Sequence, residues 1–210
     1  MSLLTPLGGL PYPQPADAAN IPQHLQSLAE AVDGRTVLRF ADQASLTAKI
    51  PTPVAGMLAF LTTPKQFTYY NGTAWSVLAP APAHAANTGA GTTTSTAYVE
   101  ALTGSTATTV TFTAPPSGAV LVTVGARVSS SAATACYASA NVKSGSTTVL
   151  AAADTRAALG TGTSALSASA QFQVTGLTVN TSYTATLAYK SGATTSTATF
   201  ANRFVTVTPV

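Results

Sequence analysis

Along the second half of the chain, apolar and polar positions alternate with period two. Thr109-Val-Thr-Phe-Thr113 is the clearest case, because successive side chains of a strand point to opposite faces of a sheet. Ala119 to Val128 is longer and largely apolar, as a central strand would be. Pro115-Pro-Ser-Gly118 turns the chain between these two. Thr134 to Lys143 reads as a strand that turns at Ser144-Gly145 into Ser146 to Ala151. Ala153 to Gly162 is irregular; Ala165 to Val174 alternates again with Phe172 and Val174 on one side. Tyr183 to Tyr189 follows, and Lys190-Ser-Gly192 turns into Thr197 to Thr208. With Tyr98 to Leu102 in front, this makes about eight strands of β-branched residues, and the pattern predicts an antiparallel two-layer β-sandwich or jelly roll over residues 95–210.

The forward half is patterned differently. Pro6, Pro11, Pro13 and Pro15 with Gly8 and Gly9 predict an extended arm, polyproline-like in part. Such an arm has no core of its own, so it either lies on a partner or trails as a loose tail. Asp17 to Asp33 reads as the chain's only helix, with Asp17 or Asn20 as its cap, Pro22 in the first turn and Gly34 as the stop. Ile21, Leu25, Leu28 and Val32 fall on one narrow stripe, too thin for a monomer core and suited to a seam between copies of the chain. His24 lies beside that stripe and reads as a solvated or neighbour-bonded side chain. Residues 1–35 are therefore expected to be an arm plus an oligomerising, attaching helix.

Residues 36–79 predict a small β module. Thr36 to Ile50 reads as a short strand and a connector ended by Pro51 and Pro53. Met57 to Leu61 and Gln66 to Tyr70 are strands, and Asn71-Gly72 is a hairpin signal that returns the chain through Thr73 to Val77. Phe67, Tyr69, Trp75 and Val77 are expected to form the module's core rather than a sugar-stacking platform. Residues 80–94, rich in Pro, Ala and Gly, read as a linker, with His84 lacking any ligand partner nearby in sequence.

Composition changes the picture in one respect. Only 7% of residues are charged, against about 25% in ordinary globular proteins, so hydroxyl groups must do most of the hydration. The basic residues are scattered from Arg35 to Arg203, and no run of them tracks a phosphate backbone; no nucleic-acid partner is expected. No stretch of about 20 apolar residues is present, so no membrane insertion is expected, and the N-terminus lacks the pattern of a secretory signal. Cys136 is the single cysteine, which excludes an intrachain disulfide and reads as a small buried side chain.

Candidate chemistry is sparse. His24 and His84 are the only histidines, and no serine sits in a nucleophile elbow. Glu100 and Asp154 are the only acids of residues 95–210 that could act as a glycosidase pair, while Asp154 with Arg156 reads as a loop salt bridge. Neither a phosphate-binding glycine loop nor zinc-ligand spacing occurs. The expectation is a protein that is not an enzyme, with no catalytic residue, metal or cofactor.

Leu10-Pro-Tyr-Pro, the Asn20-Ile-Pro-Gln-His-Leu-Gln-Ser-Leu-Ala helix, Pro53-Val-Ala-Gly-Met-Leu-Ala-Phe-Leu and Tyr70-Asn-Gly-Thr-Ala-Trp resemble the attachment region of tail-fibre and minor tail proteins of actinobacterial tailed phages. Val174-Thr-Gly-Leu-Thr-Val-Asn-Thr-Ser-Tyr183 and Phe200-Ala-Asn-Arg-Phe-Val-Thr-Val-Thr-Pro-Val210 are similar to their C-terminal β domain. The resemblance implies a virion component, made in the host cytoplasm and exposed on the particle. It implies a homotrimer with a C1q- or TNF-like jelly-roll head, bound to other virion proteins through its N-terminal arm. The head would touch the host surface, and Tyr137 and Tyr189 are the nominees for contact with a glycan. A capsid decoration or head-fibre protein is the alternative, and a carbohydrate-active enzyme domain the second.

Overall fold

The computed structural model describes residues 3–4, 10–12, 14, 20–32, 36–78 and 80–210. The fold is mainly β and divides into two units, Met1–Ala79 and Pro80–Val210.

In the first unit, β1 (Leu3–Leu4) pairs antiparallel with β2 (Pro11–Tyr12). Helix α1 spans Ile21–Val32. Asn20 caps it, its side-chain oxygen accepting from the Gln23 N–H at 3.2 Å, which satisfies one of the donors a helix start leaves open. The expected caps and stops at Asp17, Asp33 and Gly34 and most of the proline arm lie outside the described residues.

The small module is a four-stranded sheet in the order β3-β4-β5-β6: Leu38–Phe40, Leu58–Leu61, Gln66–Tyr70 and Trp75–Val77. β3 and β4 run parallel, and the crossover between them carries a second helix, α2 (Gln43–Lys49), where a plain connector was expected. Asp42 starts it by accepting from Ser45 N–H at 2.8 Å, a bond that lowers the Asp42 pKa. Leu46 is driven fully into the core. That core is Leu46, Ala59 and Leu61, flanked by Leu38, Phe40, Ile50 and Trp75.

Of the expected core of Phe67, Tyr69, Trp75 and Val77, Trp75 packs against this cluster, whereas Phe67, Tyr69 and Val77 do not belong to it. The β5–β6 register pairs Thr68 with Val77, Tyr69 with Ser76 and Tyr70 with Trp75. An even-numbered connection pairs odd positions with even ones, so Phe67 and Tyr69 take the face opposite to Trp75 and Val77. Asn71 holds this turn by accepting from the N–H groups of Thr73 and Ala74, both at 2.9 Å. Phe67 is left 45% exposed and packs beside Phe60, ring centroids 5.1 Å apart.

The second unit is two antiparallel sheets. One runs β14-β10-β16-β7, with β8 also on β16; the other runs β12-β11-β15-β9, with β13 also on β11. The strands are β7 (Ala83–Asn87), β8 (Gly91–Thr93), β9 (Thr109–Thr113), β10 (Val120–Ser130), β11 (Ala135–Ser144), β12 (Thr147–Leu150), β13 (Ala158–Thr161), β14 (Leu166–Val174), β15 (Ser182–Ser191) and β16 (Ala198–Pro209). Residues 80–94 are thus no linker: β7 and β8 are edge strands on β16. An edge strand that packs on one side needs little bulk, and Ala83 and Ala85 alone reach the core. The expected strand Tyr98 to Leu102 makes only isolated bridges, such as Val99 with Tyr189.

Between the sheets, Val120, Val122, Val124, Val128, Phe200 and Val205 meet Ala138, Ala140, Val142, Leu187 and Tyr189 in one continuous core. Full burial of each large apolar side chain stabilises the fold by about 1.5–3 kcal/mol. Cys136 is buried there, its thiol donating to the Ser129 carbonyl at 3.2 Å; burial raises its pKa.

Candidate functional site

Three places gather side chains that could meet another molecule or organise one that does. The first is helix α1. None of its residues is buried: Ile21, Leu25 and Leu28 are 69%, 61% and 39% exposed, and Val32 is half-buried. Leu10, Pro11 and Tyr12 pack beside this stripe and, with Ile21, His24, Leu25 and Leu28, line an apolar cleft of about 320 Å³. The stripe expected as a seam therefore lies together with the arm's apolar side chains. His24 forms part of the cleft wall.

The second place is the outer face of the β12-β11-β15-β9 sheet, where the acids sit. Lys143 donates to Glu100 (2.6 Å at the closer oxygen), and the Asn141 amide donates to Glu100 at 2.6 Å. Lys190 donates to both Asp154 oxygens, at 2.6 and 2.7 Å, and the Tyr98 hydroxyl donates to Asp154 at 3.0 Å. The Lys190 ammonium holds the Asp154 pKa below the ordinary carboxylate value, with Tyr98 adding to it. Burial first, then the Asp154 carboxylate, push the Tyr98 hydroxyl pKa up. The expected Asp154–Arg156 salt bridge is replaced by this one. Arg156 instead donates to the Ala151 carbonyl at 2.6 Å and lies 5.9 Å from the Phe172 ring centroid. Each carboxylate is committed to its own lysine rather than to the other acid.

Tyr137 and Tyr189 part company here. Tyr137 is half-buried on this outer face, with Lys190 Nζ 4.4 Å from its ring centroid. Tyr189 is fully buried in the sandwich core, and its nomination as a glycan contact is corrected. In β15, Lys190 faces outward beside its register partner Tyr137 on β11, whereas Tyr189 turns inward to pack at a tilt against Phe200, centroids 4.9 Å apart.

The third place centres on Arg203, in sequence one of the scattered basic residues. It is fully buried. Its guanidinium donates to the carbonyls of Gly89 (3.1 Å) and Thr106 (3.4 Å), to the Tyr189 hydroxyl (3.3 Å) and to Ser105. Among the described residues no carboxylate pairs with it, and its Nε has no partner. A β-bulge brings it inside: Asn202 takes φ 48°, and the register against β10 shifts there, between Gly125 and Arg127. An extra residue of this kind reverses which face the next side chain takes. Asn tolerates the left-handed region better than most residues, so Asn202 was the available signal. Arg203 ties two loops to β16 and is a structural clamp.

His84, expected in a linker, lies on β7 with its Nδ1 2.9 Å from the Thr206 hydroxyl. Among the described residues, no cluster of three metal-ligating side chains occurs, and no helix is long and apolar enough to cross a membrane. No protein-family model matches the chain, and no curated protein matches it in sequence.

Proposed function

We propose that this chain is a structural protein of a tailed-phage virion, a tail-fibre or tail-tip component. It assembles as a homotrimer, anchors through its N-terminal region to other virion proteins, and presents the β-sandwich for adhesion to the host surface. The observation that carries the reading is α1, which buries none of its residues and leaves Ile21 and Leu25 of its apolar stripe more than half exposed even beside the arm. An isolated helix of about three turns is marginal in water, and a stripe of this spacing is stabilised by burial against sister helices.

The strand pairing supports a jelly-roll head of the C1q or TNF kind. β7 pairs with β16, β9 with β15, β10 with β14 and β11 with β13. These pairs nest from the ends of the unit inward, as in one long double strand rolled into two sheets. The charge-poor surface supports exposure on a particle, since few of its contacts depend on salt. The resemblance of the arm, helix, hairpin and closing strand to phage tail proteins supplies the assignment to a virion.

Labelled antibody against the sandwich, applied to intact particles, tests it. Label at the tail tip or on fibres is the expected result; label spread over the capsid shell, or on no particle, contradicts it.

A further inference from the structure

The outer face of the β14-β10-β16-β7 sheet carries a second set of polar and aromatic side chains. The registers stack them in rows: Ser167, Arg127 and Ala201; then Ser169, Gly125 and Phe204; then Gln171, Thr123, Thr206 and His84. The Phe204 ring lies over Gly125, in the space a Cβ at that position would fill. Arg127, Phe204, Asn202, Ser167 and Ser169 line an open cleft of about 240 Å³.

Charge distinguishes this cleft. In residues 80–210, Lys143 is paired with Glu100, Lys190 with Asp154, Arg156 with a carbonyl, and Arg203 is sealed in the core. Arg127 is exposed and, among the described residues, has no hydrogen-bond or ion-pair partner. Glu100 and Asp154, the unit's only acids, are both bound on the other sheet. The rival surface around Tyr137 lacks a free cation, because Asp154 neutralises Lys190 and Lys190 covers the ring.

We propose that this cleft binds an anionic saccharide, a sugar ring bearing a carboxylate or phosphate. The Arg127 guanidinium pairs with the anion in the forked geometry that arginine favours. The Phe204 ring packs against the apolar face of the sugar, and Asn202, Ser167 and Ser169 meet its hydroxyls; a largely apolar floor with a few placed polar groups is the usual make-up of such sites. A second copy of the same face is a poor occupant, since it would bring two unpaired guanidiniums together without an acid. The proposal rests on the adhesion reading and names the class of ligand that would serve it.

The test is calorimetric titration of the intact chain with oligogalacturonate, glucose 6-phosphate and an uncharged malto-oligosaccharide. Binding of one or both charged sugars, at least about tenfold tighter than the neutral one and weakening with added salt, is expected. Oligogalacturonate alone would assign the carboxylate, and glucose 6-phosphate alone the phosphate. Arg127→Gln should reduce charged-sugar binding by about tenfold or more with an unchanged melting temperature, and Asn202→Gly should weaken it while keeping the backbone conformation. Equal binding by R127Q, no preference for charge, or no binding of either charged sugar overturns the proposal. Adhesion to host cells separates the two readings: R127Q that adheres as well as the wild type sinks this cleft and leaves adhesion standing. A wild-type chain that adheres to no host cell removes both.

Discussion

Val128 and Gly160 meet across the two sheets of the sandwich, the valine side chain occupying the space a Cβ on Gly160 would need. Both are buried, one on β10 and the other on β13. The sheets approach closely here because one partner has no side chain. Gly160→Ala should therefore destabilise the second unit by about 1–3 kcal/mol, the usual cost of overpacking a filled core. Thermal melting checks this. Val128→Ala leaves a cavity alone, but the double variant should cost clearly less than the two singles together.

Arg203 makes a separate prediction. Replacing it with methionine keeps most of the volume but removes the donors to the Gly89 carbonyl and to the buried Tyr189 hydroxyl, and hydrogen bonds to a charged group contribute about 1.5–3 kcal/mol each. Arg203→Lys should also destabilise, because a single ammonium cannot span both loops. Denaturant unfolding distinguishes this clamp from a dispensable charge, whose replacement by an apolar side chain would stabilise the fold.

Asp154 predicts the acid response. Its pKa is held down in the folded protein, first by Lys190, so its contribution is present above the unfolded carboxylate value of about 4. That contribution is lost as pH falls through the lower, folded value. Asp154→Asn should remove this part of the acid destabilisation while leaving the melting temperature at higher pH reduced. Melting temperature measured against pH for both proteins reads it; parallel curves would contradict the Lys190–Asp154 bond.

The hairpin module gives a comparison. Leu61 is buried and Phe67 is 45% exposed. Leu61→Ala should cost about 2–5 kcal/mol, as buried leucines do. Phe67→Ser should cost less, about 1 kcal/mol, since it loses the contact with Phe60 but no buried core position. A reversed order, read by melting of the intact chain, would restore the face first expected for Phe67.

The long strands of the sandwich were legible because Thr and Val alternate over enough residues for the period to show, as in Thr109 to Thr113. β7 was not, because Ala83-His-Ala-Ala-Asn87 has too little hydrophobic contrast to carry a period and borrows its order from β16. Helix α2 is a single short piece that one cap and one leucine specify, below the length at which a 3.6-residue repeat can be counted. Tyr189 and Arg203 share a cause: which face a side chain takes depends on pairing and on the bulge at Asn202, and pairing is a long-range property. The α1 stripe lay in plain view because it is local to one helix. The Arg127 cleft was invisible, since its residues come from three strands far apart in the chain.

The mass of the intact chain in solution, measured by light scattering at micromolar concentration, bears most directly on the proposed homotrimer. The account predicts a species of about three times 21.0 kDa that falls to the single-chain mass when Leu25→Asp places a charge on the exposed α1 stripe. A wild-type chain that runs as a stable monomer with its arm intact would contradict it.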